Sequence, residues 1–292
     1  MSLTTLAARQ SFDGRRPGIL AICYNAEMTS TASEISAAAD VLWEAGISNK
    51  PFPPLCDISP KLTLAQGYEV ARLNFARCLS RTKAVPVGMK IGLTSAAMQK
   101  KFEADAPIFG RLSSMMRIES GGVLEPGTLI AGRVEGETAF LLNGELRGPG
   151  VTRDDVLAAT DAVAAAIEIV DTRVTDCKLR LQDLVAGNSA SAYFVLGPRR
   201  SLKGLDLRAV KMTMKKNGRV EATGVGTDCL GDPALAVAWL ANTLGDAGEA
   251  LSPGDIVLSG SLGPMVPFQE GDHCEMEMEG LGAISCRYDH AN

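Results

Sequence analysis

The stretch TLIAGRVEGETAFLL, residues 128–142, lies between the turn-rich segments GGVLEPG (121–127) and NGEL (143–146) and reads as an extended strand. Alternate side chains of a strand share a face, so Glu135 and Glu137 project side by side. Like charges so placed repel unless water or a cation screens them. E-x-E is a common pattern, and by itself it equally describes a solvated strand face. Working outward, further strands are expected at VPVGMKIGLT (85–94), IEIVDTR (167–173), AYFVLG (192–197), AVKMTMKKNGRV (209–220), DIVLSGSLG (255–263) and HCEMEMEGLGAISCRY (273–288). Few helices separate them: SAAMQKKFEA (95–104), which PIFGRL (107–112) breaks, an Ala-rich helix from a Thr152 cap with Asp155 three residues on to about Ala166, and DPALAVAWLANTLGDAG (232–248). Strands so grouped predict an α+β or mostly β core and argue against a doubly wound parallel sheet.

Toward the N-terminus the character is helical. STASEISAAADVLWEAG (30–46) carries Ile35, Ala38, Ala39, Leu42 and Trp43 at helical spacing, with Ser33 as the expected cap and Gly46 past the end. The Pro-rich KPFPPLCDISPKL (50–62) is expected to lack regular structure, and TLAQGYEVARLNFARCLSRT (63–82) reads as a second amphipathic helix. The expected divisions are an extension over 1–28, a helical N-terminal lobe over 29–83 and a β-rich catalytic domain over 84–292. In the extension the apolar run GILAIC is too short for a signal-peptide core, and no window approaches the roughly 18–20 apolar residues of a membrane span.

Composition narrows the chemistry. The chain has 292 residues, 29 Lys and Arg against 34 Asp and Glu, a net charge of −5, two His and seven Cys. With no long basic run, nucleic acid is an unfavourable partner. Both histidines, His273 and His290, lie near the C-terminus, and His273 is expected on an exposed strand edge; a His-rich zinc site or a Ser-His-Asp triad has almost nothing to be built from. The cysteines are odd in number, scattered and nowhere spaced C-x-x-C, which suits structural thiols in the cytoplasm. Carboxylates and Lys must therefore carry any metal or acid–base chemistry.

Glu168 sits in VAAAIEIVDTR (163–173), where an unpaired carboxylate is costly. It reads either as the third member of a carboxylate set suited to a hard ion such as Mg²⁺ or Mn²⁺, or as a buried ion pair with Arg173 or Lys178; Asp171 and Arg173 can also pair with each other. Lys90, between Gly88 and Gly92, is directed either to solvent or into a pocket where its charge becomes useful. GSLGPM (260–265) is either a tight turn or a source of backbone N–H groups. No dinucleotide fingerprint or P-loop is present.

Taken together, GMKIGLTS (88–95), PIFGRL (107–112), VEGETAFLL (134–142), AIEIVDTR (166–173), LVAGNSAS (184–191), VGTDCLGDP (225–233) and GDIVLSGSLGPMV (254–266) resemble the 2-keto-4-pentenoate hydratase and 4-oxalocrotonate decarboxylase family of the fumarylacetoacetate hydrolase superfamily. The resemblance runs from about Thr29 to Tyr288. It implies a mixed β-roll with an N-terminal helical lobe, a homo-oligomer that can also pair with a homologous subunit, and Mg²⁺ or Mn²⁺ held by Glu135, Glu137 and Glu168. It further implies an active-site Lys90, substrate contacts at Leu93, Thr94, Ser95 and Gly263, and a small 2-hydroxy-dienoate or 2-oxo-enoate substrate from aromatic meta-cleavage. The family's P-D-[YF]-G reads P-I-F-G, placing Ile108 where hydratases have a proton-handling Asp and decarboxylases an apolar residue. Its V-A-D-N-A-S reads V-A-G-N-S-A-S, with Gly187 for the Asp and Ala190 for the catalytic Ser, leaving Ser189 and Ser191 as substitutes. The leading expectation is hydration of a 2-hydroxy-2,4-dienoate; the alternatives are decarboxylation of 4-oxalocrotonate or a non-catalytic subunit.

Overall fold

The computed structural model describes residues 31–174 and 179–290, so the extension expected over 1–28 and Lys178 lie outside the described residues. Three helices lead: α1 (Ala32–Ser48), α2 (Leu55–Ile58) and α3 (Leu64–Arg81). Then follow β1 (Pro86–Gly92), α4 (Ala96–Lys101), β2 (Ile108–Ser113), β3 (Arg117–Glu119), β4 (Gly122–Leu124), β5 (Arg133–Leu142), α5 (Arg153–Ala158), β6 (Thr160–Val170), α6 (Leu181–Ala186), β7 (Ser191–Leu196), β8 (Lys211–Lys216), β9 (Arg219–Val225), α7 (Pro233–Asp246), β10 (Ile256–Ser261), β11 (Val266–Pro267), β12 (Asp272–Met278) and β13 (Gly282–Tyr288).

The α+β expectation holds, with two mixed sheets. One runs β2-β1-β10-β5-β6-β7-β3 with β11 also beside β5, the other β4-β13-β12-β8-β9. Most neighbours are antiparallel, while β1–β10, β3–β7 and β4–β13 are parallel. The main core lies between the sheets, where Phe140, Val163, Ile167, Ile169 and Val195 of the first meet Met212, Met214, Met276, Ile284 and Tyr288 of the second. Helix α7, started by the Asp232 side chain accepting the Ala234 N–H, buries Val237, Leu240 and Leu244 in the same core. The opposite face of the first sheet carries a second cluster of Leu112, Ala139, Ala164, Ala166, Phe194, Leu196 and Leu258.

Several local expectations are corrected. The Ala-rich helix ends at Ala158, and the residues that follow form β6, a central strand buried at every position but Asp161. Alanine's helix preference is a few tenths of a kcal/mol per residue. It yields here to a ten-rung antiparallel pairing with β5, in which Ala139 meets Ala164 and Glu137 meets Ala166. PIFGRL, expected only to end the preceding helix, is itself strand β2, and the Pro-rich segment contains α2. Thr31, not Ser33, caps α1 through a reciprocal box with Glu34, and α1 runs past Gly46 to a left-handed Asn49. His273 lies on β12, which is flanked by β8 and β13 and so is not an edge. Among the described residues no helix is long and apolar enough to cross a membrane.

Ile167, fully buried at the centre of this core, and Ile47, 61% exposed on α1, give a direct contrast. Ile167→Ala is expected to lower unfolding free energy by about 2–5 kcal/mol, and Ile47→Ala by less than about 0.5 kcal/mol, in urea titrations.

Candidate metal centre

Register brings the acids together. Glu135 of β5 directly faces Glu168 of β6, and Glu137 lies two residues along the same face. Strand β1 joins through β10: Lys90 pairs with Leu258, and Leu258 with Ala139, so Lys90 points to the same face as the three glutamates. Glu137 and Glu168 are fully buried and Glu135 is half-buried. One oxygen from each lies within 4.8 Å of the others. Lys90, only 2% exposed, places its Nζ 3.0 Å from Glu168 Oε2. The two open readings of the sequence are thereby resolved: the E-x-E face is inward, and the ion-pair partner of Glu168 is Lys90. Asp171 is engaged elsewhere, accepting the backbone N–H groups of Ile130 and Ala131, the latter at 2.6 Å.

The arrangement is electrostatically incomplete. Like charges directly opposite on neighbouring strands destabilise a sheet, and three carboxylates, if all ionised, would exceed the one ammonium by two negative charges. Glu137 Oε1 and Glu168 Oε1 are buried without a hydrogen-bond donor, and such an atom costs about 1–3 kcal/mol. Burial, then the Glu168 charge, pushes Glu135 up to about 7 against the pull of Lys90. Burial and the Glu168 and Glu135 charges push Glu137 well above the usual carboxyl value. Burial alone would lower the Lys90 ammonium, but the charges of Glu168, Glu135 and Glu137 outweigh it and hold it above the ordinary lysine value. Orphaned oxygens, an oxygen-only donor set and a charge deficit of two fit a hard divalent cation.

The GSLGPM segment is more than a turn. A bulge in β10 between Leu258 and Ser261 puts Gly260 at φ 105°, and its N–H donates to Glu137 Oε2 at 2.8 Å. A Cβ at Gly260 would lie 2.4 Å from Thr94 Cγ2, so the close approach requires glycine. The Ser261 hydroxyl donates to the Gly263 carbonyl at 2.6 Å. Thr94 is buried, and its carbonyl accepts the Leu230 N–H. Ser95 is committed to capping α4 through the Met98 N–H. Leu93 is buried with φ 56°.

The serines sit in a strained loop. Asn188, Ser189 and Ala190 have φ of 58°, 53° and 59°, three successive left-handed non-glycine residues. Asn188 holds the loop to β2 with both ends of its side-chain amide: Oδ1 accepts the Arg111 N–H at 2.8 Å and Nδ2 donates to the Arg111 carbonyl at 2.9 Å. Ser189 donates its hydroxyl to the Phe109 carbonyl at 2.6 Å, whereas the buried Ser191 Oγ makes no hydrogen bond. The reading of 260–265 as a source of backbone N–H groups is met by Gly260, which serves Glu137, whereas the parts played by Ser261 and Asn188 carried no signal in the sequence.

With this geometry in place, comparison with known proteins is decisive. The fumarylacetoacetate (FAA) hydrolase C-terminal family matches residues 84–288. The chain belongs to that family. It is 43% identical over 250 residues to the 2-hydroxyhexa-2,4-dienoate hydratase of Comamonas testosteroni, covering 85% of this chain and 94% of the relative. It is 34% identical over 261 residues to the 4-oxalocrotonate decarboxylase of a Pseudomonas species, covering 89% and 98%. The solved 4-oxalocrotonate decarboxylase of Pseudomonas putida G7, complexed with magnesium and adipate, superimposes with a TM-score of 0.85 at 32% identity, covering 89% of this chain and 99% of that one.

Glu168→Gln is expected to weaken Mn²⁺ binding at least about 10–100-fold in calorimetric titration; unchanged affinity would place the metal elsewhere. Protons compete for the same oxygens, so Mn²⁺ affinity is expected to fall as pH drops below about 7. The raised carboxyls also stabilise the metal-free protein only while protonated. That contribution is full below the unfolded value of 4.5 and lost as pH rises through about 7. The Tm gap between chelated and Mn²⁺-loaded protein should therefore widen with pH across this window.

Proposed function

We propose that the protein is a Mg²⁺- or Mn²⁺-dependent lyase that adds water to a 2-hydroxy-2,4-dienoate, acting as a cytoplasmic homo-oligomer in the breakdown of aromatic compounds. The observation that carries this reading is the clustered Glu135–Glu137–Glu168 set with Lys90 on the same inner face, in a chain 43% identical to a dienoate hydratase. The two curled sheets are taken as the family's mixed β-roll, with α1–α3 as its N-terminal lobe.

Glu135, Glu137 and Glu168 would hold the cation, which when bound supplies Lewis acidity toward the 1-carboxylate and 2-oxygen of the substrate. Lys90 stays protonated beside that position and orients the bound anion, favouring negative charge as it develops on the substrate. Leu93, Thr94, Ser95 and Gly263 would contact substrate largely through backbone, since the Ser95 hydroxyl caps a helix and Gly263 has no side chain. Neither Ile108 nor Ala190 can move a proton. Of the two substitute serines, Ser191 is better suited because its buried hydroxyl is uncommitted, whereas Ser189 braces the loop against β2.

A second reading, decarboxylation of 4-oxalocrotonate, is favoured by one residue, the apolar Ile108, and by the likeness to the decarboxylases. The Mg²⁺-loaded protein is expected to bleach the dienoate absorbance of 2-hydroxypenta-2,4-dienoate without releasing CO₂. Release of CO₂ from 4-oxalocrotonate with no hydration of the dienoate would establish the second reading instead.

A further inference from the structure

We propose that Cys229 is a positioning residue of the metal centre: its thiol holds one peptide of the β10 bulge in the orientation that delivers the Gly260 N–H to Glu137, and so sets how tightly the three glutamates grip a divalent cation. This role rests on the metal reading above and deepens it by naming a residue outside the carboxylate set on which the site depends. Cys229 belongs to VGTDCLGDP (225–233), a stretch to which the chemistry so far gives no part. It is fully buried, and its sulfur is not in the cluster formed by the glutamates, so it acts only through a neighbour. That neighbour is the peptide joining Ser259 to Gly260. The pairing of β10 with β1 ends at Leu258, and the pairing with β5 skips from Leu258 to Ser261, so both residues fall between paired positions. Their buried backbone groups need partners outside the ladder.

Each end of this peptide has one. The Gly260 N–H donates to Glu137 Oε2 at 2.8 Å, and the Ser259 carbonyl accepts the Cys229 thiol at 3.1 Å. A trans peptide is planar, with its C=O and N–H directed oppositely, so fixing the oxygen fixes where the N–H points. A donor on the carbonyl also polarises the N–H at the other end. Cys229 thus reaches the carboxylate through a single rigid group. The thiol is itself held firmly. The Cys229 N–H donates to the Gly226 carbonyl, its own carbonyl accepts the Asp232 N–H, and the Leu230 N–H reaches the Thr94 carbonyl at 3.1 Å. The Thr94 side chain hydrogen-bonds the Cys229 sulfur, and its Oγ1 would lie 2.6 Å from a Cβ at Gly260. The single S–H proton goes to the Ser259 carbonyl, which leaves the Thr94 hydroxyl to donate to sulfur. Burial, then the Glu137 charge, pushes the thiol up to about 12, so it remains a donor across the neutral range.

The test is calorimetric titration of the full-length, metal-stripped chain with Mn²⁺, alongside the Tm of the chelated protein as a measure of packing. Cys229→Val keeps an apolar side chain but has no proton for the Ser259 carbonyl, whereas Cys229→Ser keeps the donor. We expect Cys229→Val to bind Mn²⁺ about tenfold more weakly than wild type, as for partners one step removed from a metal ligand. Cys229→Ser should return the affinity to the wild-type level. If the valine variant does not fold, Cys229→Ala, which adds no atom to the core, carries the same expectation. A lowered Tm with unchanged Mn²⁺ affinity makes Cys229 a packing residue and overturns the proposal. An equal loss of affinity in the valine and serine variants overturns it too, since the hydrogen bond would not then be what matters. In both cases the metal reading stands as long as Glu168→Gln loses Mn²⁺. Absence of Mn²⁺ binding by the wild-type protein overturns that reading and the role of Cys229 together.

Discussion

Glu135 faces Glu168 across the β5–β6 ladder, and much of the structure can be understood from what that pairing demands. Two carboxylates opposite one another in a sheet interior are unfavourable, and Glu137 adds a third on the same face. Lys90 offsets one charge, and the Gly260 N–H satisfies one oxygen of Glu137. The remaining orphaned oxygens define a place for a divalent ion. A one-residue slip of β6 would move Glu168 to the opposite face among Phe140, Val163 and Ile167, so the dense apolar packing of that core also fixes the acids' register.

The site is supported from outside by strain held in place. Three consecutive left-handed residues at 188–190 persist because Asn188 pairs both backbone groups of Arg111 and Ser189 reaches Phe109, so β2 and the loop are fastened as though by one more strand. Gly110 permits this, since a Cβ there would meet the Asn188 carbonyl at 2.5 Å. Unusual backbone conformation recurs in the β10 bulge, whose Gly260 N–H reaches Glu137, and in this loop, which is bonded to β2. Both orient backbone groups that an ideal sheet would hold within its own ladder.

Ile108 changes meaning between sequence and structure. As a motif position it is a missing acid and points to the decarboxylases. In place it is buried with Leu93, Val170 and Ala190 in one apolar cluster, so its role there is packing as well as the absence of an acid.

The sequence by itself determined the α+β class, the short strands with alternating patterns and the Thr152–Asp155 cap of α5, and it marked Glu135, Glu137, Glu168 and Lys90 as candidates for the chemistry. Period-two patterning and the cost of a carboxylate among alanines and isoleucines are local signals, written in a few adjacent positions. Tertiary structure alone decided that the alanines before Glu168 extend as β6, because pairing on both edges and burial on both faces outweigh a small helix preference. It also decided that Lys90 turns inward to Glu168, that Asp171 serves backbone amides, and that Ser189 is a brace while Ser191 is uncommitted. Each of these depends on a partner distant in the chain, and neither periodicity nor composition records which strand will lie beside which.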